Sequence, residues 1–158
     1  MADYGQRSLD NLHTAHQDLQ ILFSHVIKKF DNSIIHGQRT PDFQFKLYQK
    51  GRKKVGDAWV IEDKKKVVTN CDGFIVKSRH NKEPLSEAVD AVPYPTLYSD
   101  EDTIRHFAGY VLGVADALYS YGAIEHEIIC GIDWDNDKDL HDQRLFDAVH
   151  FELKKIRI

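Results

Sequence analysis

Residues 133–152 read DWDNDKDLHDQRLFDAVHFE and run from an Asp-rich loop into an Asp-x-x-His pair, Asp147 and His150. The loop separates two apolar segments, 128–132 and 148–153, that are typical of strands. Carboxylates at every second position repel one another unless a cation collects them. A His three residues after an Asp is a candidate metal ligand, with the Asp as the base that deprotonates the attacking water. This stretch therefore predicts two strands and two metal-related sites beside them.

The rest of the chain alternates helical and extended patterns. Three segments have apolar residues at helical spacing or residues typical of helix starts, namely 8–30, 40–48 and 100–121. Two further segments read as strands, 33–36 and 88–92, and residues 52–66 read as a surface excursion that could form a hairpin. Helices and strands are interspersed, but the strands are too few for repeated βαβ units. The pattern predicts an α+β fold.

Four residues mark helix boundaries in these segments. Thr40 and Pro41 are suited to the N-cap and first turn of the second helix, and Gly51 to its close. Gly122 is suited to ending the third. His16 lies within the first predicted helix, where we expect a solvated or capping role rather than a ligand role.

Length and composition bound the class of protein. A chain of 158 residues supports one domain with a core of its own, so we expect a single domain over 1–158. Hydrophobic residues make up 42% and charged residues 29%, which is ordinary for a globular protein. The net charge of -4 gives no electrostatic reason to expect DNA or RNA binding, so we expect no nucleic-acid partner. We also expect a monomer.

The cysteines and the N-terminus indicate the compartment. Cys71 and Cys130 lie far apart, so neither a zinc knuckle nor a disulfide framework is indicated. No apolar run reaches the roughly 20 residues that span a bilayer. The first residues lack the basic start and apolar centre of a secretory signal. We therefore expect synthesis in the cytoplasm and no membrane insertion.

Three separated residues form a candidate zinc-binding set. Hydrolytic zinc is usually held by three protein ligands with a fourth position open to water, and His80, Asp90 and His150 are of the right types beside predicted strand ends. Asp90 lies in the apolar run 88–92, where an ionised carboxylate is costly unless a cation pairs with it. The alternative for each His is a hydrogen-bonded structural or surface group.

Asp147 and His150 need a bend to act together. A three-residue offset places two side chains on opposite faces of a regular strand. With a bend between them, Asp147 stands close to the metal without ligating it. It can then take a proton from water and pass it to the leaving amine.

Several short blocks occur in a fixed order along the chain. They are Leu12 to Leu19, Gly37-Gln38-Arg39-Thr40, Ser78-Arg79-His80, Ala88-Val89-Asp90 followed by Pro93-Tyr94, and Asp147-Ala148-Val149-His150. Their order and separation resemble the zinc peptidases of the D-Ala-D-Ala carboxypeptidase and hedgehog-like fold, in particular phage L-alanyl-D-glutamate endopeptidases. The spacing from His80 to Asp90 is longer than in many family members. The resemblance implies a small antiparallel sheet with flanking helices.

The resemblance also implies roles for individual residues. It assigns zinc to His80, Asp90 and His150, catalytic-base function to Asp147, and substrate contacts to Arg39 and Ser78, with Arg39 stabilising developing negative charge. The acidic loop is similar to an EF-hand-like calcium loop in some of these enzymes, which would give Ca²⁺ four carboxylates. These are Asp133, Asp135, Asp137 and Asp139. The alternative is a solvated acidic loop, since the usual Gly and the Glu at the twelfth position are missing.

The activity implied by the resemblance is hydrolysis of the L-Ala–D-Glu bond in peptidoglycan stem peptides, as in a phage endolysin that lyses its host. Such an enzyme is made in the host cytoplasm and acts on the cell wall. One alternative within the same chemistry is a D,D-carboxypeptidase or D-Ala-D-Ala dipeptidase. An alternative of another class is a non-catalytic, metal-stabilised cell-wall binding module.

Overall fold

A four-stranded antiparallel sheet forms the centre of the fold, with strand order β1-β4-β6-β5. The computed structural model describes residues 2–95, 100–140 and 146–154. The described strands are β1 (Asn32–His36), β2 (Arg52–Val55), β3 (Ala58–Ile61), β4 (Ala88–Pro93), β5 (Ile128–Gly131) and β6 (Asp147–Leu153). The described helices are α1 (Gln6–Leu12), α2 (Gln17–Val26), α3 (Pro41–Tyr48) and α4 (Glu101–Ser120), with short 3-10 turns at Lys64–Lys66 and Arg79–Asn81. The predicted α+β class is confirmed, and β2 and β3 form the hairpin expected within 52–66.

The core lies between the sheet and the helices α2 and α4. Val89 and Ala91 of β4 and Phe151 of β6 join the buried side chains of both helices in one apolar cluster. The Phe151 ring packs edge-on against Phe23 of α2 and Phe107 of α4, with ring centroids 5.6 and 6.1 Å apart. Because side chains alternate along a strand, residues between these core positions point to the opposite face of the sheet. That second face carries the polar residues of the central strands.

The prediction of one helix over 8–30 is wrong, since the segment forms α1 and α2 with a break at residues 13–16. The backbone at the break pairs with Ser86: the amide of Ser86 donates to the carbonyl of Thr14 (2.9 Å), and the amide of His16 donates to the carbonyl of Ser86 (2.8 Å). These bonds replace helical ones. His16 then caps α2, because its Nδ1 accepts the amide of Asp18 at 3.2 Å. The capping role expected for His16 is confirmed.

The other helices begin where their caps predict. The Thr40 hydroxyl accepts the amide of Phe43, and Asp100 accepts the amide of Thr103 at the start of α4. Gly51 has φ +72° and turns the chain from α3 into β2. Of the described helices, including the 20-residue α4, none combines the length and hydrophobicity needed to cross a membrane.

Candidate metal centre

Three neighbouring strands place His36, Asp90 and His150 in one row across the sheet. Asp90 of the central strand β4 is directly opposite His36 on β1 and His150 on β6. Directly opposed residues of antiparallel strands share a face, so all three side chains stand on the face away from α2 and α4. The sheet itself therefore assembles two of the predicted ligands, which are 60 residues apart in sequence.

His80 reaches the same point from the 3-10 turn Arg79–Asn81. A capping box begins this turn, in which the Ser78 hydroxyl accepts the amide of His80 and the Asn81 side chain accepts the amide of Ser78. The amide of Arg39 donates to the carbonyl of His80 (2.8 Å), which ties the turn to the segment after β1. These local bonds hold His80, a fully buried side chain, over the strand row.

The candidate ligand atoms form a nearly equilateral triangle. His80 Nε2 lies 3.1 Å from Asp90 Oδ1 and 3.2 Å from His150 Nδ1, and the latter two atoms are 3.1 Å apart. Tetrahedral ligands at the usual zinc distance of about 2.0–2.1 Å are separated by about 3.3 Å. The three atoms therefore fit one side of a tetrahedral zinc site.

The far nitrogen of each imidazole has its own partner. His80 Nδ1 lies 2.6 Å from the carbonyl oxygen of Gly37, and His150 Nε2 lies 3.0 Å from a carboxylate oxygen of Glu152. Both partners are acceptors, so each ring donates from that nitrogen, and its other nitrogen, once unprotonated, directs a lone pair into the triangle. Carbonyl and carboxylate partners of this kind orient metal-binding histidines and raise their basicity.

The second oxygen of Asp90 is held by two other side chains. Asp90 Oδ2 accepts a hydrogen bond from Nη2 of Arg39 and lies 3.1 Å from Nδ1 of His36. Arg39 was predicted at the substrate, and it does line the cavity over the site, but its ion pair is with Asp90. Its Nε is buried without a partner in the described part of the chain.

Asp147 lies at a bulge in β6. Cys130 pairs with Phe151, whereas the next residue of β5, Gly131, pairs with Asp147. Between these two pairs β5 advances by one residue and β6 by four. The bend expected between Asp147 and His150 is present, and both side chains line the same cavity. Gly131 is needed at this crossing, because a Cβ there would lie 2.9 Å from Cβ of Asp147 and 2.7 Å from the Trp134 ring.

A cavity of about 800 Å³ opens over the site. One side is formed by the candidate centre together with Trp134, whose ring lies 5.3 Å from that of His150. The lining also includes the end of α3 and residues 68–71 and 77–79. The cavity is large enough for several residues of a peptide, and two of the candidate ligands, His80 and His150, are part of its lining.

The electrostatics favour positive charge inside the triangle. Burial lowers the pKa of His150, but hydrogen bonds to Asp90 and Glu152 outweigh it and raise the pKa to about 9. Burial also lowers the pKa of His80. Burial alone would raise the pKa of Asp90, yet the neighbouring His80 and hydrogen bonds from His150 and His36 hold it well below its ordinary value. A metal ion at these atoms competes with the proton on His150.

The pKa of Asp147 is shifted in the opposite direction from that of Asp90. Burial and the nearby negative charge of Asp90 raise its carboxyl pKa, against smaller lowering effects of His150 and Arg39. A carboxylate with a raised pKa accepts a proton more readily than an ordinary one. The position and proton affinity of Asp147 suit the role of a general base.

The sequence interpretation missed two residues at the centre, His36 and Glu152. Glu152 follows His150 by two positions on the same strand, which is the spacing of side chains that share a face. His36 is the last residue of β1 and directly follows the apolar residues Ile34 and Ile35. Ser78 lines the cavity, but the contact made by its hydroxyl is the cap of the His80 turn.

The acidic loop is ordered around one of its carboxylates. The two oxygens of Asp133 accept the amides of Asp137 and Lys138, at 3.1 and 3.0 Å. Asp133 is buried, Asp135 and Asp137 are exposed, and oxygens of the three lie within 4.8 Å of one another. Asp139 lies at the end of this group, and its amide donates to Asp137 at 2.8 Å. The twelfth position of the loop, Arg144, lies outside the described residues.

A second group of His16, Asp18 and His126 also brings candidate ligands together. Here the atoms already serve the fold: one Asp18 oxygen accepts the amides of Glu125 and His126 and contacts His126 Nδ1 at 2.8 Å. His16 Nδ1 is used as the cap of α2. This group ties the start of α2 to the segment before β5.

Comparison with known proteins shows what this chain resembles. Neither a protein-family model nor a curated protein matches the sequence. Among solved structures, the crystal structure of Serratia marcescens L-Ala D-Glu endopeptidase ChiX is similar, with a TM-score of 0.61. The two chains share their fold. They are 20% identical, and the match covers 96% of this chain and 89% of that chain.

Proposed function

We propose that this chain is a zinc-dependent peptidoglycan endopeptidase that hydrolyses the L-Ala–D-Glu bond of stem peptides, as a phage endolysin does during host lysis. One observation carries the proposal: the ligand atoms of His80, Asp90 and His150 form a triangle with edges of 3.1–3.2 Å, and Asp147 lines the same cavity. The fold shared with an endopeptidase of that specificity supports the choice of substrate. We propose that residues 1–158 act as one domain and as a monomer.

The donor set suits zinc better than a harder cation. Two imidazole nitrogens and one carboxylate oxygen are typical zinc ligands, whereas Ca²⁺ and Mg²⁺ prefer oxygen. When bound, zinc acts as a Lewis acid that polarises the peptide carbonyl and makes water a stronger acid. His80 and His150 line the cavity, so a metal ion held by the three ligands would be next to the space for a substrate.

The side chains of this protein then supply the proton transfers. A carboxylate oxygen of Asp147 accepts a proton from the attacking water and gives it to the amine nitrogen that leaves with D-Glu. Arg39 and His36 hold Oδ2 of Asp90 so that Oδ1 stays in the triangle. Gly37 and Glu152 hold the two imidazole rings in their metal-binding tautomers.

Asp147→Ala tests the proposal. We expect cleavage of purified muropeptides to fall by about 10²–10⁴-fold, because the general base is lost, while zinc content by elemental analysis stays near one ion per chain. Asp116→Ala is the control, since Asp116 is an exposed residue of α4. Full activity of the Asp147 variant would remove this residue from its role.

Product analysis separates the alternatives. Mass spectrometry of the digested muropeptides should show fragments that begin with D-Glu, whereas release of C-terminal D-Ala or of D-Ala-D-Ala would indicate the D,D-peptidase alternatives. A wild-type protein that binds zinc and cell wall but releases no fragment would instead be a binding module.

We also propose that Asp133, Asp135, Asp137 and Asp139 bind Ca²⁺. The order of the loop around Asp133 and the closeness of three of its carboxylates support this. Millimolar Ca²⁺ should raise the melting temperature of the zinc-loaded protein, because a ligand that binds only the folded state stabilises it. Asp135→Asn should reduce that rise. No rise in the wild type would identify the segment as a solvated acidic loop.

A further inference from the structure

The cavity is lined by four Lys and Arg side chains, two of which are neutralised within the protein. The four are Arg39, Lys50, Lys77 and Arg79. Arg39 forms an ion pair with Asp90, and Arg79 forms ion pairs with Glu87 and Glu152. Lys50 and Lys77 form no ion pair or side-chain hydrogen bond with any residue in the described parts of the chain, and both are exposed. These two ammonium groups are therefore the cations of the cavity that remain for a ligand.

The backbone at both lysines is tied to the framework of the site. Lys77 directly precedes the capping box of the turn that carries His80. On its other side, one Asp72 oxygen accepts the amides of Phe74, Ile75 and Val76, at 2.8 to 3.0 Å. This pattern fixes the loop from which Lys77 projects.

Lys50 is fixed in a comparable way at the end of α3. Its amide donates to the carbonyl of Leu47, and the carbonyl of the following Gly51 accepts the amides of Glu62 and Asp63. Gly51 is also crowded by backbone: an added Cβ would lie 2.7 Å from the amide nitrogen of Val67. Each lysine thus presents a flexible side chain to the cavity from a segment whose backbone is hydrogen-bonded in place.

We propose that Lys50 and Lys77 form a carboxylate-binding subsite that selects peptides with a free carboxylate beside the scissile bond. This inference rests on the proposed function. D-Glu has two carboxyl groups, and only one can continue the peptide chain, so the other stays within one residue of the bond that is cut. Two mobile ammonium groups suit such a ligand, because lysine binds anions as a point charge without requiring one fixed geometry. The arginines cannot serve equally, since both are already paired with carboxylates.

The test compares two synthetic stem peptides that differ in one group: one carries the free D-Glu carboxylate, and the other carries it as a carboxamide. We expect Lys50→Met/Lys77→Met to lower kcat/KM for the acid peptide by about tenfold, because charge-assisted hydrogen bonds are lost. The same double variant should change kcat/KM for the amide peptide by less than about twofold. Lys50→Arg/Lys77→Arg should retain most of the preference for the acid.

Lys64→Met/Lys65→Met is the matched control, because it removes two exposed lysines that do not line the cavity. It should leave the preference for the acid peptide unchanged. Equal losses on both peptides in Lys50→Met/Lys77→Met, or no loss on either, would overturn the subsite.

A binding measurement separates this inference from the proposed function. Calorimetry with the Asp147→Asn protein, which should bind the peptides without cutting them, should show tighter binding of the acid peptide. Adding Lys50→Met/Lys77→Met should abolish that difference. A wild type that cleaves neither peptide would contradict the proposed function. The calorimetric preference still decides the subsite in that case: its presence supports the lysines as a carboxylate site, and its absence rejects them.

Discussion

At the scale of single residues, the centre depends on partners that fix the imidazoles as much as on the ligand atoms. His150 lies between Asp90 and Glu152, each about 3 Å from one ring nitrogen. Glu152 is in turn 3.6 Å from Nε of Arg79, which also pairs with Glu87. This chain of contacts sets which nitrogen of His150 is free for the metal.

Replacing Glu152 should therefore weaken metal binding without removing a ligand. We expect Glu152→Ala to lower zinc affinity by about 10–100-fold, because His150 loses the acceptor that orients its ring and raises its basicity. Glu152→Gln keeps an acceptor and should lose less. Competition with a coloured chelator measures the affinity. Glu62→Ala, at an exposed ion pair with Lys53 of the hairpin, should bind zinc as the wild type does. An unchanged affinity in Glu152→Ala would show that His150 is oriented by other contacts.

At the scale of elements, the strands, the capped helices and the bend in β6 were predictable, but the break between α1 and α2 was not. Asp90 was singled out because a carboxylate in an apolar run needs a cation, and the strand row explains why it is tolerated. The break between α1 and α2 was missed, because it depends on backbone hydrogen bonds of Thr14 and His16 with the distant Ser86. Such bonds do not change the spacing of apolar residues in the sequence. His36 was missed for the same reason: its closeness to Asp90 follows from strand order, which no local pattern contains.

The bulge in β6 is the element on which the placement of Asp147 depends. We expect Gly131→Ala to lower the free energy of unfolding by about 1–3 kcal/mol, because the added methyl group overlaps Asp147 and Trp134. Displacement of Asp147 should also lower kcat by up to about 10²-fold. Urea unfolding and steady-state kinetics measure the two effects.

Gly113→Ala is the control of opposite sign for that experiment. Gly113 lies in α4, and a Cβ there meets nothing within 4 Å, so alanine should stabilise the protein by about 0.5–1 kcal/mol. An equally stable and equally active Gly131→Ala protein would show that β6 adjusts without moving the base.

At the scale of the whole molecule, the two faces of the sheet have different roles: one packs against helices in the core, and the other carries the candidate metal centre. One face of β4 and β6 packs on α2 and α4 through Val89, Ala91 and Phe151, while the other gathers buried ionisable groups. Because the three candidate ligands come from β4, β6 and the 79–81 turn, a metal ion that joins them also joins distant parts of the chain. Metal binding and folding should be coupled for that reason.

Zinc removal is therefore expected to lower the melting temperature as well as the activity. A ligand present at about 1,000 times its Kd stabilises the folded state by about 4 kcal/mol, or about 10 °C for a chain of this size. Differential scanning calorimetry before and after chelation, and again after zinc is restored, measures the shift. In His80→Ala the shift should largely disappear, whereas His126→Ala, in the other His-Asp-His group, should keep it. A shift that survives in His80→Ala and vanishes in His126→Ala would move the metal to the second group. Equal melting temperatures of zinc-free and zinc-loaded wild type would show that zinc does not stabilise the protein through His80, Asp90 and His150.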